Sequence, residues 1–316
     1  NASVQFKAAA TLGVEGALVK AILGLTPEEY AAKYGIKLYD DAEAMVAAEG
    51  LDTVVINCRH SEHAAWAERM AALGMNIFVP KTFATTVADA ERIVVAERRY
   101  GVTIASGPSA RYLPAFMAVK DVLDRGSIGR PFALRLCHHH GTIDHFGEQD
   151  WFRDAKEGGP GLSLGWYGSD MVMYLMGDVV TSVYGQYGNY TTPYSPFLDC
   201  SKMVLRMRGG GIASFEIYYC NRMPYPSWQM ELVGPKGMLS IHRTAEAPTS
   251  TVVRLDTAAG SEILPLPTPT VGWEVAWVDE FLRGARPAIS ADYACQITRI
   301  SLAALESSAK GLPVHL

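Results

Sequence analysis

The sequence predicts an α/β protein with a Rossmann-type doubly wound parallel sheet, followed by a C-terminal α+β domain with a large open, mainly antiparallel sheet. The first hundred residues alternate β-branched runs with helical segments, which is the pattern of parallel strands covered by helices. Beyond residue 109, strand patterns separated by Gly- and Pro-rich turns dominate, which is typical of an antiparallel sheet. We therefore divide the chain into residues 1–108 and 109–316.

The N-terminal elements have recognisable start and stop signals. Thr26 is a suitable N-cap, Pro27 fits the first helical position, and Gly35 is suited to end this helix. We expect Asn1–Leu12 to be the helix that follows a strand upstream of Asn1. Further helices are predicted at 61–73 and 86–99, and buried parallel strands at 52–58, 75–79 and 102–106.

The C-terminal elements are mainly strands, with a few helices. Helices are predicted at 114–125, where Gly126 ends the segment, at about 163–176, and at about 291–310. Tight turns are expected at the Gly-rich segments 208–211 and 234–237. The strands are predicted at 132–140, 180–190, 201–207, 212–220, 228–233 and 237–242.

Composition argues against several classes of protein. With 316 residues, of which 49% are hydrophobic, the chain can form two domains with substantial cores. The net charge of −5 argues against a nucleic-acid binder, because such proteins need an excess of basic residues. No apolar run approaches the ~20 residues of a membrane helix, so we expect no membrane partner. The five cysteines lack C-x-x-C spacing, which fits free thiols and a cytoplasmic location.

Six motifs follow one another in order along nearly the whole chain. They are residues 57–63 (NCRHSEH), 78–82 (FVPKT), 111–114 (RYLP), 126–129 (GSIG), 158–170 (GGPGLSLGWYGSD) and 278–316. Their order and spacing resemble those of the Gfo/Idh/MocA family of sugar and cyclitol oxidoreductases, which includes glucose-fructose oxidoreductase and inositol dehydrogenase. The resemblance implies NAD or NADP as cofactor, a small sugar or polyol as substrate, and a homodimer or homotetramer built through the C-terminal sheet.

The resemblance also implies a set of cofactor-binding residues. In doubly wound sheets, ligands lie at the carboxyl ends of the strands, and two of the matched motifs follow predicted strands. The residues that the resemblance assigns to the cofactor are Asn57, Cys58, Arg59, His60, His63, Pro80 and Lys81.

Four residues are candidates for catalysis. Lys81 matches the family's lysine, whose ammonium group can hydrogen-bond a substrate hydroxyl and ease removal of its proton. Ser163, Tyr167 and Asp170 are spaced i, i+4 and i+7, so they share one helix face. The family usually places Asp and His at the first two of these positions. A phenol can exchange a proton, and a nearby lysine favours its ionised form. Tyr167 is alternatively a buried packing residue, and Asp170 a structural contact.

Several polar and aromatic residues are candidates for substrate binding. Period-2 alternation places His138 and His140 on one face of a strand and His139 on the other. The two imidazoles could contact a sugar, or they could bind a metal ion together with His145 or Asp144. Each candidate is alternatively a packing or surface residue. The proposed substrate-binding residues are Arg111, Tyr112, His138, His140, Trp151 and Tyr167.

The cofactor region departs from the family pattern, so three functions are considered. No G-x-G-x-x-G motif precedes residue 30, and Gly24 stands where an acidic residue usually binds the ribose. Arg59, Pro80 and Thr82 also replace family residues. We expect the glycine-rich loop upstream of Asn1 and predict an NAD(P)-dependent oxidoreductase of a sugar, cyclitol or related polyol. The alternatives are a degenerate, non-redox sugar-binding or partner subunit, and a metal-assisted lyase or hydrolase acting on a sugar.

Overall fold

The chain forms a small Rossmann-like part and a large mixed sheet with helices. The structure is a computed structural model that describes residues 8–10, 26–107, 109–140, 151–191, 198–220, 227–242, 251–269 and 273–316. Within this described part, no helix is both long and apolar enough to cross a membrane. The predictions for Gly24, Asp144 and His145 lie outside the described residues.

The Rossmann-like part contains two small parallel sheets. Strand β1 pairs with β2, and the second sheet has the strand order β3-β4-β5. The strands of these two sheets are β1 Ala8–Ala10, β2 Lys37–Tyr39, β3 Thr53–Val55, β4 Asn76–Pro80 and β5 Ile104–Gly107. The helices of this part are α1 Pro27–Tyr34, α2 Ala42–Glu49, α3 His63–Ala72 and α4 Val87–Tyr100.

The helix termini follow the signals in the sequence. Thr26 accepts a hydrogen bond from the Glu29 backbone N–H at 3.2 Å, and the Glu29 carboxylate accepts one from Thr26 in return. Gly35 ends α1 with φ 66°, a left-handed conformation in which glycine lacks the steric penalty of other residues. Helix α2 was not predicted, although Asp41 caps its start and Gly50 ends it in the same way.

The expectation of a helix over Asn1–Leu12 is wrong for the residues that the structure describes there. Ala8–Ala10 form a strand, not a helix. Their backbone groups pair in parallel with Lys37–Tyr39, and this pairing prevails over the helical propensity of three alanines.

The large sheet has nine strands in the order β13-β12-β11-β10-β6-β9-β8-β7-β14. Among the strands that the structure describes in this sheet, β6 and β9 run parallel and the other neighbours are antiparallel, so the prediction of a mainly antiparallel sheet is confirmed. The strands are β6 Ala133–His139, β7 Val180–Gly188, β8 Cys200–Met207, β9 Ile212–Tyr218, β10 Ser227–Gly234, β11 Gly237–His242, β12 Val252–Thr257, β13 Gly260–Ile263 and β14 Val314–His315.

Helices cover one face of this sheet and also connect the two parts of the chain. They are α5 Pro114–Asp124, α6 Gly159–Met176, α7 Trp273–Leu282 and α8 Ala291–Lys310. Helix α6 approaches β9 so closely that a Cβ atom on Gly168 would lie 2.0 Å from the Phe215 ring. On its other side, the Trp166 indole N–H donates to Thr298 of α8 at 3.1 Å. The helix thus lies fixed between the sheet and α8.

The C-terminal segment returns to the Rossmann-like part. Ser106, in β5, donates its backbone N–H to the carbonyl oxygen of Ile289 at 2.9 Å, just before α8 begins. Two exposed ion pairs join α4 to α8, Arg98 with Asp292 and Glu91 with Arg299. These contacts hold the Rossmann-like sheet next to the helices of the large sheet.

Several elements differ from their predicted bounds. Helix α6 begins at Gly159, earlier than the expected residue 163, because Gly158 turns the chain with φ 77° and a proline follows in the first helical turn. Other elements lacked a prediction because they are short, lie at a sheet edge, or carry little periodicity. These are β2, β12, β13, α7 and β14.

Candidate active site

Lys81 lies immediately after β4, at the carboxyl end of the middle strand of the three-stranded sheet. Its ammonium nitrogen donates a hydrogen bond to Ser163 Oγ at 2.8 Å and lies 5.3 Å from the centroid of the Tyr167 ring. The fully buried Phe83 and Ala84 anchor the segment that follows. The fold therefore brings Lys81, Ser163 and Tyr167 together, although 82 residues separate Lys81 from Ser163.

Burial makes the Lys81 amine a weaker base than that of an ordinary lysine. Loss of hydration disfavours the charged form and lowers the pKa of Lys81 to about 8. Its hydrogen-bond acceptor, Ser163, is neutral and supplies no negative charge. The Lys81 ammonium is therefore easier to deprotonate than that of an exposed lysine, a property that general acid–base catalysis uses.

Tyr167 lies one helical turn after Ser163 and faces the ends of β6 and β10. Its ring centroid is 6.2 Å from that of His138 and 6.1 Å from that of Trp228. The ammonium group of Lys81 lies over the phenol ring, within the range of a cation–π interaction. The Tyr167 ring thus connects the lysine to the aromatic side chains of the large sheet.

His138, near the end of β6, and His140, just after the strand, form an aromatic cluster with Trp228 of β10. The His138 ring stacks on Trp228 at 4.0 Å with an interplanar angle of 6°, and its centroid lies 5.2 Å from that of His140. His140 stacks in turn on Tyr219 at 4.8 Å. His139 stacks on Tyr218 instead, so the two faces of β6 are occupied as period-2 alternation predicts.

The surroundings of His138 favour the neutral form of its ring. Burial, together with the positive charges near it, holds the pKa of His138 well below its usual range. Its Nδ1 atom is buried and has no hydrogen-bond partner within the described part of the chain. No group of three or more metal-ligating side chains occurs among the described residues.

Arg111 and Asp170 form a buried ion pair. Arg111 donates two hydrogen bonds to the Asp170 carboxylate, one of them from Nε at 3.0 Å. The guanidinium lies 4.5 Å from the Tyr174 ring centroid and 5.2 Å from that of Tyr293. Burial disfavours the charged guanidinium, but Asp170 outweighs this effect and raises the pKa of Arg111. Tyr112, the next residue, lines a small cavity beside Phe78.

The loop between β3 and α3 carries the residues that the resemblance assigned to the cofactor. Asn57 is exposed, and Cys58 and Arg59 are partly buried. His60 and His63 are buried, and their Nδ1 atoms lie 3.0 Å and 3.3 Å from the backbone carbonyl oxygens of Glu157 and Phe83.

Burial favours the neutral form of both imidazoles of this loop. Burial lowers the pKa of His60 to about 3 and also lowers that of His63. His60 contacts the edge of the Trp151 ring at 5.2 Å, whereas Pro80 lies at the end of β4 beside Lys81. The two histidines anchor the loop, whereas Asn57 is exposed and Cys58 and Arg59 keep part of their surface accessible.

Sequence reasoning missed two residues that surround this site. The sequence around Trp228 indicated only a strand. Nothing in it indicated that β10 would pair with β6 and so place Trp228 beside His138. Glu157 was missed although it is fully buried and accepts a hydrogen bond from Ser61 Oγ at 2.7 Å. The sequence did offer one indication of its role, since Glu157 is a charged residue that directly precedes the two glycines at the start of α6.

These elements define a class of protein. A Rossmann-like parallel sheet with a partly buried lysine at a strand end, facing a helix of a second, sheet-based domain, is the arrangement of a two-domain nicotinamide-dependent oxidoreductase.

The chain belongs to the Gfo/Idh/MocA oxidoreductase family. The family model described as "Oxidoreductase family, NAD-binding Rossmann fold" matches residues 12–107. The model of the GFO/IDH/MocA C-terminal domain matches residues 116–240. The prediction of the family from its motifs is therefore confirmed, and with it an oxidoreductase with an NAD(P)-binding domain.

Similar proteins include sugar and cyclitol dehydrogenases. D-apiose dehydrogenase of Paraburkholderia graminis is 30% identical over 270 aligned residues, which cover 83% of this chain and 70% of that protein. Inositol 2-dehydrogenase 1 of Saccharopolyspora erythraea is 26% identical over 324 aligned positions, which cover 97% and 90% of the two chains.

Solved structures share the fold at lower sequence identity. An oxidoreductase from Agrobacterium radiobacter, in complex with NAD+, L-tartaric acid and magnesium, superposes with a TM-score of 0.80 at 20% identity, covering 98% of this chain and 90% of that one. Aldose-aldose oxidoreductase from Caulobacter crescentus, complexed with glycerol, gives a TM-score of 0.81 at 19% identity, covering 99% and 92%. At these identities the similarity shows the fold.

Proposed function

We propose that the protein transfers a hydride between NAD or NADP and a carbinol carbon of a sugar, cyclitol or related polyol. The observation that carries this proposal is the Lys81 ammonium group, which lies at a strand end, donates to Ser163 at 2.8 Å and has a pKa lowered to about 8. A group with this pKa can hold or release the hydroxyl proton at the pH of the cell.

The residues at the strand ends fit a nicotinamide nucleotide. Asn57 after β3 is exposed, and Pro80 at the end of β4 and Lys81 after it are partly buried, so the carboxyl edge of the sheet offers an amide and an ammonium group to a ligand. Rossmann-like sheets bind dinucleotides at this edge. The nicotinamide ring, when bound, supplies the acceptor or donor of the hydride.

Lys81 and Ser163 handle the hydroxyl proton in this proposal. In the oxidation direction, the neutral amine of Lys81 accepts the proton of the substrate hydroxyl as the carbinol becomes a carbonyl. In the reduction direction, the ammonium donates that proton to the new alkoxide. Ser163 Oγ holds the lysine nitrogen in place at 2.8 Å, and the Tyr167 phenol is a second proton-exchanging group in the same cluster.

The substrate lies, in this proposal, between Lys81 and the aromatic cluster at the end of β6. The Nδ1 atom of His138 lacks a partner in the described part of the chain, and a polyol hydroxyl can supply one. His140 and Trp151 offer further polar edges and stacking surface. Arg111 and Asp170 satisfy each other, so we assign them to positioning α6 rather than to direct substrate contact.

The test is reduction of NAD+ or NADP+, followed by nicotinamide absorbance, with a panel of polyols that includes D-apiose and inositol. Turnover of at least one polyol supports the proposal. Stoichiometric binding of a polyol with no reduction of either cofactor, in either direction, would instead favour the non-redox sugar-binding subunit.

The pH dependence of turnover follows from the lysine. Because oxidation requires the neutral amine, the rate of oxidation rises with pH through about 8, where half of Lys81 is neutral, and then reaches a plateau. The reduction rate falls over the same interval. In Ser163→Asp, a carboxylate beside the ammonium raises the lysine pKa and shifts both limbs upward by about a unit or more. Ser163→Ala is the control, because it adds no carboxylate. If the pH dependence of the rates in Ser163→Asp were the same as in the wild type, the assignment of that dependence to Lys81 would be contradicted.

We also propose that the outer face of the large sheet joins copies of the chain. Val204 and Tyr184 project from this face with 52% and 38% of their surface exposed, beside charged residues such as Lys202. Val204→Asp is expected to convert the oligomer into monomers in sedimentation, because it places a carboxylate in an apolar contact. Ile263→Asp, an exposed aliphatic position on β13, is the matched control. Unchanged sedimentation of Val204→Asp would exclude this face.

A further inference from the structure

A buried carboxylate joins the two parts of the chain beside the candidate site. Glu157 has no exposed surface, and its two carboxylate oxygens accept hydrogen bonds from Ser61, one from the backbone N–H at 3.0 Å and one from Oγ at 2.7 Å. The backbone oxygen of Glu157 lies 3.0 Å from Nδ1 of His60. Glu157 therefore contacts both His60 and Ser61, in the segment 57–63 between β3 and α3, which we call the cofactor loop. Glu157 lies 96 positions beyond Ser61 along the chain.

Ser61 and Glu157 lie at the ends of two functional segments. Ser61 belongs to the short helical turn His60–Glu62, which follows the loop after β3 and leads into α3. Glu157 precedes the start of α6 by two residues. A carboxylate is favourable at this place because it accepts from a backbone N–H in a first helical turn, where the N–H groups lack partners within the helix.

The backbone between Glu157 and helix α6 has little conformational freedom. Gly158 adopts φ 77°, and a Cβ atom at this position would lie 2.5 Å from Leu162. The N–H of Leu162 donates to the Gly158 carbonyl at 3.1 Å, so the turn continues directly into α6. A displacement of Glu157 would therefore move the first turns of α6, including Ser163.

A second polar contact joins the Rossmann-like sheet to the same helix. Lys81, after β4, donates to Ser163 on α6 at 2.8 Å. The Ser61–Glu157 and Lys81–Ser163 contacts thus connect two neighbouring strand ends of the Rossmann-like sheet with the start of one helix. Only the second contact includes a group that can reach a substrate, because Glu157 is fully buried.

We propose that Ser61 and Glu157 are positioning residues, whose contact fixes the cofactor loop relative to Ser163 and Tyr167 on α6. The inference rests on the proposed function, since the distance it controls is that between the bound nicotinamide and the substrate carbon. Loss of the contact lowers kcat, because a displacement of about 1 Å can reduce a rate by ~100-fold. The substrate KM changes less than kcat, because His138 and His140, two of the proposed substrate residues, lie at the end of the β6 segment and not on the loop after β3 or on α6.

The experiment is a double-mutant cycle on the full chain, with Ser61→Ala, Glu157→Gln and the double variant. Each single variant is expected to lower kcat on the order of tenfold with substrate KM within about twofold. Ser61→Ala removes the hydrogen bond from Oγ but keeps the one from its backbone N–H, whereas Glu157→Gln alters both hydrogen bonds. The double variant should therefore resemble Glu157→Gln, because Ser61→Ala removes only part of the same contact. Glu91→Gln is the matched control: it removes an exposed ion pair between α4 and α8 and should leave kcat unchanged.

Two outcomes would overturn the proposal. One is that folded single variants keep both kcat and KM, and the other is that the two losses multiply in the double variant. If the wild-type chain turns over no polyol, the proposed function fails separately, and amide hydrogen exchange then decides the positioning role. Residues 57–63 should exchange on the order of tenfold faster in Glu157→Gln than in the wild type, with α4 unchanged; equal exchange would contradict the contact's role.

Discussion

Lys81→Met is expected to reduce turnover of the polyol substrate by about 100- to 10,000-fold, the usual contribution of a general acid–base group. Methionine retains the length of the side chain and its apolar contacts but can neither accept nor donate the hydroxyl proton. It also removes a buried ammonium whose charge is unfavourable in this environment, so the fold should remain at least as stable. The measurement is kcat/KM in both reaction directions, together with a thermal melt.

Two controls make this result specific. Lys236→Met changes an exposed lysine in the turn between β10 and β11 and should leave kcat/KM unchanged. Cofactor affinity of Lys81→Met should change far less than turnover, since the proton-handling group is not the main source of dinucleotide binding. A Lys81→Met protein with near wild-type turnover would remove Lys81 from the mechanism.

Arg111→Met is expected to lower the free energy of unfolding by about 3–5 kcal/mol, the usual cost of breaking a buried ion pair from one side. Asp170 has no exposed surface, so its carboxylate would be left without the guanidinium that compensates its charge. Denaturant unfolding at neutral pH measures this loss. Combining Arg111→Met with Asp170→Leu should recover much of it, because two apolar residues leave no isolated charge.

An exposed ion pair supplies the comparison. Arg130 donates to Asp178 at 3.1 Å with 68% of its side chain exposed, so Arg130→Met should cost less than about 1 kcal/mol. If Arg111→Met cost no more than this control, the Arg111–Asp170 pair would not hold α6 in position.

The sequence predicted the elements whose signals are local. The capping box at Thr26, the glycine at position 35 and the alternation along β6 each depend on residues that are close together in the chain. The resemblance supplied what local patterns could not, namely that Lys81 and the face of α6 belong to one site.

The contacts that the sequence could not predict join distant segments. Arg111 and Asp170 were interpreted as a substrate residue and a catalytic residue, and their pairing became visible only in the fold. Glu157 and Ser61 lie 96 positions apart, and no periodicity relates them. Such polar pairs depend on how α6 and α3 are placed by hydrophobic packing, which single residues do not indicate.

A titration of the purified protein with NADH and with NADPH, read by nicotinamide fluorescence, tests whether the chain binds a nicotinamide nucleotide. We expect one of the two cofactors to bind with a stoichiometry near one per chain. Bound ligand at a hundredfold excess over its dissociation constant should also stabilise the fold by about 2.7 kcal/mol in a thermal-shift measurement. Absence of binding of both nucleotides to a folded protein would contradict the assignment of a nicotinamide-dependent oxidoreductase.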